Sequence, residues 1–208
     1  MTFINLKFST FFSTIQEAPW YRQFLNPVIN AIDKNRKLLD IGTGSGKLIQ
    51  ILSNEKEVEC IGVDTSLDML KEAKKKIQSP TVTLVHTKAG QNLPFKDADF
   101  DYISLCNVLF NLHPTASEHL LKEALRLVKK DGKILVLTPT GKGNFLTLTQ
   151  QFLSAKNLSV YIWYYATKNR AGPWHKNNPL KQFAQENGLH YTRMITLKGF
   201  AQIETLQK

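Results

Sequence analysis

A strand that runs directly into three alternating glycines constrains the fold of this chain more than any other feature. Residues 38–46 read LLDIGTGSG, and a helical pattern starts immediately after Gly46. Glycines at this spacing let the backbone turn sharply and pass close to a ligand, where a Cβ atom would collide. The start of the following helix presents unpaired N–H groups. The segment predicts a ligand-binding loop, with a tight turn that binds nothing as the alternative.

The spacing of these glycines disfavours two nucleotide-binding loops. A dinucleotide fingerprint, G-x-G-x-x-G, needs a third glycine at position 47, where Lys47 stands. A phosphate-binding P-loop needs glycine at 41 and serine or threonine at 48, but Ile41 and Leu48 occupy those positions. Hydride transfer with a dinucleotide and ATP hydrolysis therefore lose support.

Short β-branched runs alternate with helical patterns between residues 37 and 138, which is typical of βαβ units and a parallel sheet. We predict strands at 37–41, 58–64, 81–85, 100–106 and 133–138, the last after a turn at Asp131-Gly132, and helices at 46–54, 67–77 and 116–129. A helix at 179–187 precedes two strands that meet at Lys198-Gly199, a spacing that suits an antiparallel hairpin. Residues 14–34 are predicted to be helical with interruptions at Pro19 and Pro27, and residues 141–178 to form a long aromatic loop.

Length and composition predict one globular domain. The chain has 208 residues, of which 42% are hydrophobic and 21% charged, so it is predicted to fold around a single core. We divide it into N-terminal cap helices (1–36), a ligand-binding core (37–138) and a lid-like segment with a C-terminal hairpin (139–208). No apolar run approaches a membrane span, residues 1–20 lack a continuous signal-peptide core, and Cys60 and Cys106 are isolated in apolar runs. These features predict reduced thiols, no metal site and a cytoplasmic protein.

The positive charge is concentrated in the last third of the chain. The formal net charge is +10, and residues 141–208 hold nine Lys or Arg against only Glu186 and Glu204. Such a field attracts nucleic acid, anionic lipid or an acidic substrate. Because the cations are scattered singly, nucleic-acid binding is possible but not favoured.

Asp64 ends the predicted second strand, in the string IGVDTSLDML. A carboxylate at this place accepts hydrogen bonds from the two hydroxyls of a ribose. The alternative is an N-cap for the next helix, a role that Thr65, Ser66 and Asp68 could also fill.

At these residues the chain resembles the class I S-adenosylmethionine-dependent methyltransferases, in particular their small-domain, quinone-type branch. The matching strings are LLDIGTGSG, IGVDTSLDML, QNLPFKDADFDYI and LRLVKKDGKILVL, which cover residues 37–138 in the family's order. The resemblance implies an α/β, Rossmann-like, doubly wound sheet of seven mostly parallel strands with an antiparallel last strand and an N-terminal helical cap. It also implies S-adenosyl-L-methionine as the cofactor.

The resemblance also assigns cofactor-binding residues. The first motif, which wraps the methionine part of the cofactor, corresponds to Asp40, Gly42, Thr43, Gly44 and Gly46. Asp64 and Thr65 correspond to the ribose-binding position, Met69 to an apolar residue near the adenine, and Asn107 to the position facing the sulfonium. The family's adenine-binding aspartate is replaced by Ala89, so Gly90, Gln91 and Asn92 are the candidates for adenine recognition.

Methyl transfer needs placement of the reactants more than a catalytic dyad, because it is an in-line displacement. A general base is required only if the acceptor must lose a proton, and His113, just after the fourth strand, is the candidate. His86, His119 and His190 are predicted to lie on the surface. The oligomeric state is left open.

The residues immediately after the fourth strand bear on the methyl acceptor. CNVLFN stands where methyltransferases of base and glutamine amino groups have an asparagine-proline-proline-aromatic string. We therefore expect a small organic acceptor, under a lid formed by the aromatic residues of 145–178 and by Trp20, Tyr21 and Phe24. Two alternatives stay open: an RNA methyltransferase, favoured by the basic last third, and a non-catalytic cofactor-binding protein that acts through a partner.

Overall fold

A computed structural model describes residues 15–208 of the chain. Seven strands and seven α-helices of six or more residues are described in this part of the chain. The strands are β1 (Lys37–Ile41), β2 (Glu59–Asp64), β3 (Val82–His86), β4 (Phe100–Cys106), β5 (Val128–Pro139), β6 (His190–Thr196) and β7 (Ala201–Gln207). The helices are α1 (Pro19–Ala31), α2 (Lys47–Lys56), α3 (Leu67–Lys76), α4 (Pro114–Leu127), α5 (Phe145–Phe152), α6 (Ser159–Asn177) and α7 (Pro179–Glu186).

The strands form one sheet in the order β3-β2-β1-β4-β5-β7-β6. The first five strands are mutually parallel, whereas β7 runs antiparallel to both β5 and β6. The direction of winding reverses between β1 and β4, and ligands of open α/β sheets bind at the carboxyl ends of the strands beside such a point. The predicted Rossmann-like sheet of seven strands with a C-terminal antiparallel hairpin is confirmed.

Helices cover both faces of the sheet. On one face, α1 and α2 pack with the first half of α6 around the fully buried Trp20 and Phe24. On the other face, α4 and α7 bury Leu121, Leu180 and Phe183 against the sheet. Because both faces are covered, the central strands read as near-continuous apolar runs.

The turn predicted at Asp131-Gly132 is wrong, because β5 runs through it as an irregular stretch. Val128 pairs with Phe100 and Lys133 with Tyr102, so the residues between them bulge opposite one residue of β4. A Cβ on Gly132 would stand 2.7 Å from the carbonyl oxygen of Asp101, and the glycine is needed for this close approach.

The aromatic loop predicted at 141–178 is also wrong, because α5 and α6 occupy most of it. The sequence pattern did not predict α6, because the first half of this helix carries apolar residues on two faces. Val160, Trp163 and Tyr164 are buried, while Ile162 and Tyr165 are exposed. A helix without one polar face lacks the amphipathic signature of a surface helix. His175 lies in the last turn of α6 rather than in a loop.

At the N-terminal side, residues 15–16 are helical, residues 17–18 form a turn, and α1 begins at Pro19, so the helical stretch is interrupted directly before this proline as predicted. Pro27 lies inside the helix. The expectation that residues 1–20 lack a signal peptide falls mostly on residues 1–14, and these lie outside the described residues. Within residues 15–208, no helix combines the length and the apolar character needed to cross a bilayer.

Candidate cofactor site

The glycine loop turns tightly at the carboxyl end of β1. The backbone N–H groups of Gly42 and Thr43 both donate to the carbonyl oxygen of Val63, at 2.8 and 3.0 Å, and Gly46 N–H closes the loop onto the Thr43 carbonyl at 3.0 Å. Gly42, Gly44 and Gly46 have φ of +74°, +57° and +77°, a region that side chains rarely adopt. The sequence therefore places glycine where the backbone must take a left-handed turn.

The three glycines have different neighbours. A Cβ on Gly46 would stand 2.5 Å from Cδ1 of Ile77, so this glycine lets the loop pack beside α3. A Cβ on Gly42 would collide with Cγ2 of Val108, also at 2.5 Å. A Cβ on Gly44 would instead lie 3.3 Å from Nε2 of Gln16 and 3.5 Å from Cε of Met69. Gly44 is thus the glycine at which an added Cβ has the most room, between two side chains that line a cavity.

Asp64 holds the loop from the neighbouring strand. Its Oδ2 accepts a 2.8 Å hydrogen bond from the Gly44 N–H, and its Oδ1 accepts one of 2.8 Å from the Ser66 N–H. Ser66, not Asp64, caps α3, because its hydroxyl accepts from the Met69 N–H. The N-cap alternative for Asp64 is therefore wrong.

Asp40 is a buried acid below the loop. It is 3% exposed and accepts a 2.6 Å hydrogen bond from the Ser104 hydroxyl. Burial and, to a smaller extent, the Asp64 charge raise the pKa of Asp40 to about 6, although hydrogen bonds from Ser104 and Thr43 oppose the shift. Two acids thus lie side by side at the ends of β1 and β2, where a cation would be favoured.

Two cavities open at this edge of the sheet, one on each side of Gly42 and Val108. The larger, of about 460 Å³, lies beyond β2 and β3, and its lining includes Asp64, Thr65, Ala89, Gly90, Gln91, Leu112 and His119. The smaller, of about 180 Å³, lies under α1, and its lining includes Gln16, Tyr21, Leu25, Asp40, Thr43, Gly44, Asp64, Met69, Cys106 and Asn107. Because Gly42, Asp64 and Val108 line both, a single elongated ligand can occupy the pair. We call them the larger and the smaller chamber.

The loop after β3 is held by α4. The Glu123 carboxylate accepts a 2.8 Å hydrogen bond from the Leu93 N–H, and Arg126 donates to the carbonyl oxygens of Leu93 and Phe95. Hydrogen bonds from Arg126 lower the pKa of Glu123 and keep this buried carboxylate charged. The pair fixes the LPF string and so positions residues 89–91 at the rim of the larger chamber.

The N-terminal segment closes the smaller chamber. Gln16 accepts a hydrogen bond from the Ser45 hydroxyl and donates one of 3.2 Å to the hydroxyl of Tyr21. Glu17 pairs with Lys47 at 2.5 Å and with Lys76 at 2.8 Å. Although burial opposes its charge, these lysines hold the pKa of Glu17 below its ordinary value. The cap is thereby tied to both helices that flank the glycine loop.

Most of the residues assigned from the sequence line one of the chambers, and a few do not. Met69 lines the smaller chamber beside Gly44, not the larger one. Gly46 and Asn92 line neither. His113 is exposed, bonds to the hydroxyl of Thr115 at 2.9 Å and lies outside both linings, so the structure does not bring the candidate base to the site.

Sequence reasoning missed several lining residues. Gln16, Cys106 and Val108 carry no motif of their own, and Tyr21 stood out only as one of the cap aromatics. Position gives one usable signal, since Cys106 and Val108 flank Asn107 at the carboxyl end of a central strand. His119, expected at the surface, is half-buried and lines the larger chamber.

Comparison with known proteins agrees with this geometry. Residues 38–132 match a family described as a methyltransferase domain. An uncharacterized methyltransferase of Schizosaccharomyces pombe is 31% identical over 57% of this chain and 45% of its own length, so the chain spans about half of that relative. The carboxy-S-adenosyl-L-methionine synthase of Helicobacter pylori is 25% identical over 91% of this chain and 82% of its own length. A crystal structure of an S-adenosylmethionine-dependent methyltransferase from Aquifex aeolicus superposes with a TM-score of 0.63 at 15% identity, covering 87% of each chain.

The fold is thus Rossmann-like, and two adjoining chambers open at the carboxyl ends of its central strands. Residues 38–132 are similar to a methyltransferase domain, and the fold is the one seen in S-adenosylmethionine-dependent methyltransferases of known structure. The residues present fit that cofactor. Its sulfonium and amino groups are cationic, and Asp40 and Asp64 supply negative charge in the smaller chamber, where the lining residue Lys47 is paired with Glu17.

Proposed function

We propose that this protein transfers the methyl group of S-adenosylmethionine to a small organic acceptor. The larger chamber takes the nucleoside and the smaller one the methionine part together with the methyl group. In the transfer, an acceptor lone pair forms a bond to the methyl carbon, the carbon–sulfur bond breaks, and its electron pair stays on sulfur.

The small size and partly apolar wall of the smaller chamber are the observations that carry the acceptor proposal. It offers about 180 Å³ between α1 and the carboxyl end of β4, with Tyr21, Leu25 and Cys106 in its wall. A macromolecular acceptor needs an open surface at this point. A small, partly apolar space at the end of the sheet suits a small molecule.

The side chains of this chamber contribute placement. The Tyr21 hydroxyl accepts from Gln16, and burial raises the pKa of Tyr21 far above its ordinary value, so it stays protonated and available as a donor. Within residues 15–208, no histidine lines the smaller chamber. Holding acceptor and methyl carbon in line is therefore the main contribution of the protein, in keeping with the large rate effects of proximity.

Transfer of radiolabelled methyl from S-adenosylmethionine tests the proposal. The full chain is incubated in parallel with a small-metabolite extract and with total RNA, and Gly44→Val serves as the matched inactive control. Label is expected in the metabolite fraction only. Label in RNA identifies the acceptor as nucleic acid, and cofactor binding without any labelled product indicates a cofactor-binding protein that acts through a partner; either result overturns the proposal.

We also propose that the protein works in the cytoplasm. Cys60 and Cys106 are both free thiols, as is usual in reducing compartments, and Cys60 is fully buried.

A further inference from the structure

The α5–α6 hairpin carries an apolar surface that no described residue covers. Its members are between 48% and 79% exposed, and they are Phe145, Leu146, Leu153, Leu158, Ile162 and Tyr165. Leu158, Ile162 and Tyr165 recur at helical spacing, so they form one stripe along α6. Phe145 joins this stripe from α5, because its ring lies 5.4 Å from the ring of Tyr161. We call these six residues the apolar patch.

The patch stands on a rigid support. The opposite face of α6 is buried through Val160, Trp163 and Tyr164, and the Trp163 ring lies 5.1 Å from the ring of Trp20. The Trp20 indole N–H donates a 2.8 Å hydrogen bond to the Ser159 hydroxyl at the start of α6. The first half of α6 is therefore apolar on an inner face that packs on the core and on an outer face that does not. A helix apolar all round is normally buried, so the outer face calls for a partner.

The residues around the apolar patch are positively charged, which favours a negatively charged partner. No Asp or Glu occurs between Asp131 and Glu186, whereas Lys142, Lys156, Lys168 and Arg170 lie within this stretch on or beside the hairpin. None of these four cations forms an ion pair within residues 15–208. The Lys168 ammonium lies 4.6 Å from the centre of the Tyr165 ring. An amphipathic ring beside a cation is an arrangement suited to the boundary between headgroups and acyl chains.

We propose that the apolar patch docks this protein on the surface of an anionic lipid bilayer. The apolar side chains enter the boundary between headgroups and acyl chains, and the four cations bind the negative headgroups. The hairpin lies on the membrane rather than across it, because α5 has only 8 residues, α6 carries Lys168 and Arg170 within its length, and the inner face of the hairpin belongs to the core. The proposal is independent of the methyl acceptor.

Co-sedimentation of the full chain with vesicles tests the proposal. The vesicles contain phosphatidylcholine alone or phosphatidylcholine with phosphatidylglycerol. Binding is expected to the anionic vesicles and to weaken as salt is added, because exposed charges are screened. Absence of binding to anionic vesicles at low ionic strength overturns the proposal, and so does equal binding to both kinds of vesicle.

Two matched pairs of variants locate the docking surface. The double variant Leu146→Ser/Ile162→Ser changes one residue on each helix of the hairpin. It is expected to weaken vesicle binding by roughly tenfold or more, because it removes two apolar side chains that the bilayer would bury. The control Met194→Ser/Ile195→Ser removes two exposed apolar residues of β6 and is expected to bind as the unaltered chain does. Lys142→Gln/Lys156→Gln is expected to reduce the salt dependence of vesicle binding. The control Lys74→Gln/Lys130→Gln lowers the net charge by the same amount outside the hairpin and is expected to leave the salt dependence unchanged.

Sedimentation velocity without lipid provides a further check. A single species at all concentrations is expected. A concentration-dependent dimer that Leu146→Ser/Ile162→Ser abolishes would show that a second copy covers the patch, and this result overturns lipid docking. In the vesicle assay, lipid docking at the apolar patch is also overturned if Met194→Ser/Ile195→Ser loses as much binding as Leu146→Ser/Ile162→Ser does.

Discussion

The backbone N–H of Gly44 donates a 2.8 Å hydrogen bond to Oδ2 of Asp64, so the acid of β2 fixes the shape of the loop after β1. The other oxygen of Asp64 accepts from the Ser66 N–H. An ionised carboxylate has about four acceptor positions, so roughly two remain for the hydroxyls of a ribose. Loop geometry and the proposed nucleoside binding therefore depend on the same side chain.

Asp64→Ala is expected to weaken S-adenosylmethionine binding by about 1.5–3 kcal/mol, on the scale of a hydrogen bond to a charged group. Isothermal titration calorimetry measures the change. Asp68→Ala is the matched control, because Asp68 lies on the helix that follows Asp64 and forms only an exposed pair with Lys71. Equal affinities in the two variants would place the nucleoside elsewhere.

Gly44→Val is expected to abolish cofactor binding while the chain stays folded. The new side chain would project toward Gln16 and Met69, which line the smaller chamber, and both are flexible enough to yield. Calorimetric titration measures binding, and circular dichroism checks the fold.

The control for this variant is Gly188→Val, which carries a similar positive φ of +64° with nothing within 4 Å of its added Cβ. It isolates the backbone strain, about 1–2 kcal/mol of stability. It is expected to lower the melting temperature about as much as Gly44→Val and to keep cofactor binding. Loss of binding in both variants would mean that strain, not the chamber, accounts for the effect.

Ala89→Asp is expected to tighten S-adenosylmethionine binding by about 1 kcal/mol, the net value of one hydrogen bond at an exposed rim. Ala89 lines the larger chamber at the position where the resemblance implies an acid that binds the adenine amino group. Asn92→Asp adds the same charge outside the chamber and is expected to leave the affinity nearly unchanged. An equal gain in both variants would point to a general attraction of the cationic cofactor.

Asp40 is expected to make stability depend on pH between about 4 and 6. Its pKa is raised from 3.8 to about 6, so the folded state binds a proton that the unfolded state has already lost in this range. Protonated Asp40 stabilises the folded state, and this stabilisation is fully present below the pKa that Asp40 has in the unfolded chain. The stabilisation, about 3 kcal/mol, is lost as pH rises through about 6. Urea unfolding from pH 4 to 8 measures it as the difference between the unaltered chain and Asp40→Asn.

Ser104→Ala provides a second reading of the same effect. The Ser104 hydroxyl donates to Asp40 and holds its pKa down, so its removal is expected to move the pH window upward. A pH-independent difference between the unaltered chain and Asp40→Asn would contradict the assignment.

The sequence by itself determined the ligand-binding half of the fold. Strands β1 and β4 have the predicted bounds, and the loop Gly42–Gly46 and Asp64 lie where their spacing placed them. Such features are local, because a positive φ, a β-branched run or a helix start is set by neighbouring residues. The antiparallel hairpin of β6 and β7 was readable for the same reason.

Only the tertiary structure decided which side chains share the site. Gln16 and Tyr21 reach the glycine loop across a long separation in sequence, His113 turns away from both chambers while His119 lines one, and Gly46 serves packing against α3. The helix α6 escaped prediction because one of its apolar faces packs on Trp20 and the other is left open. Contacts between distant elements depend on how helices pack on the sheet, and neither propensity nor periodicity within one segment records that packing.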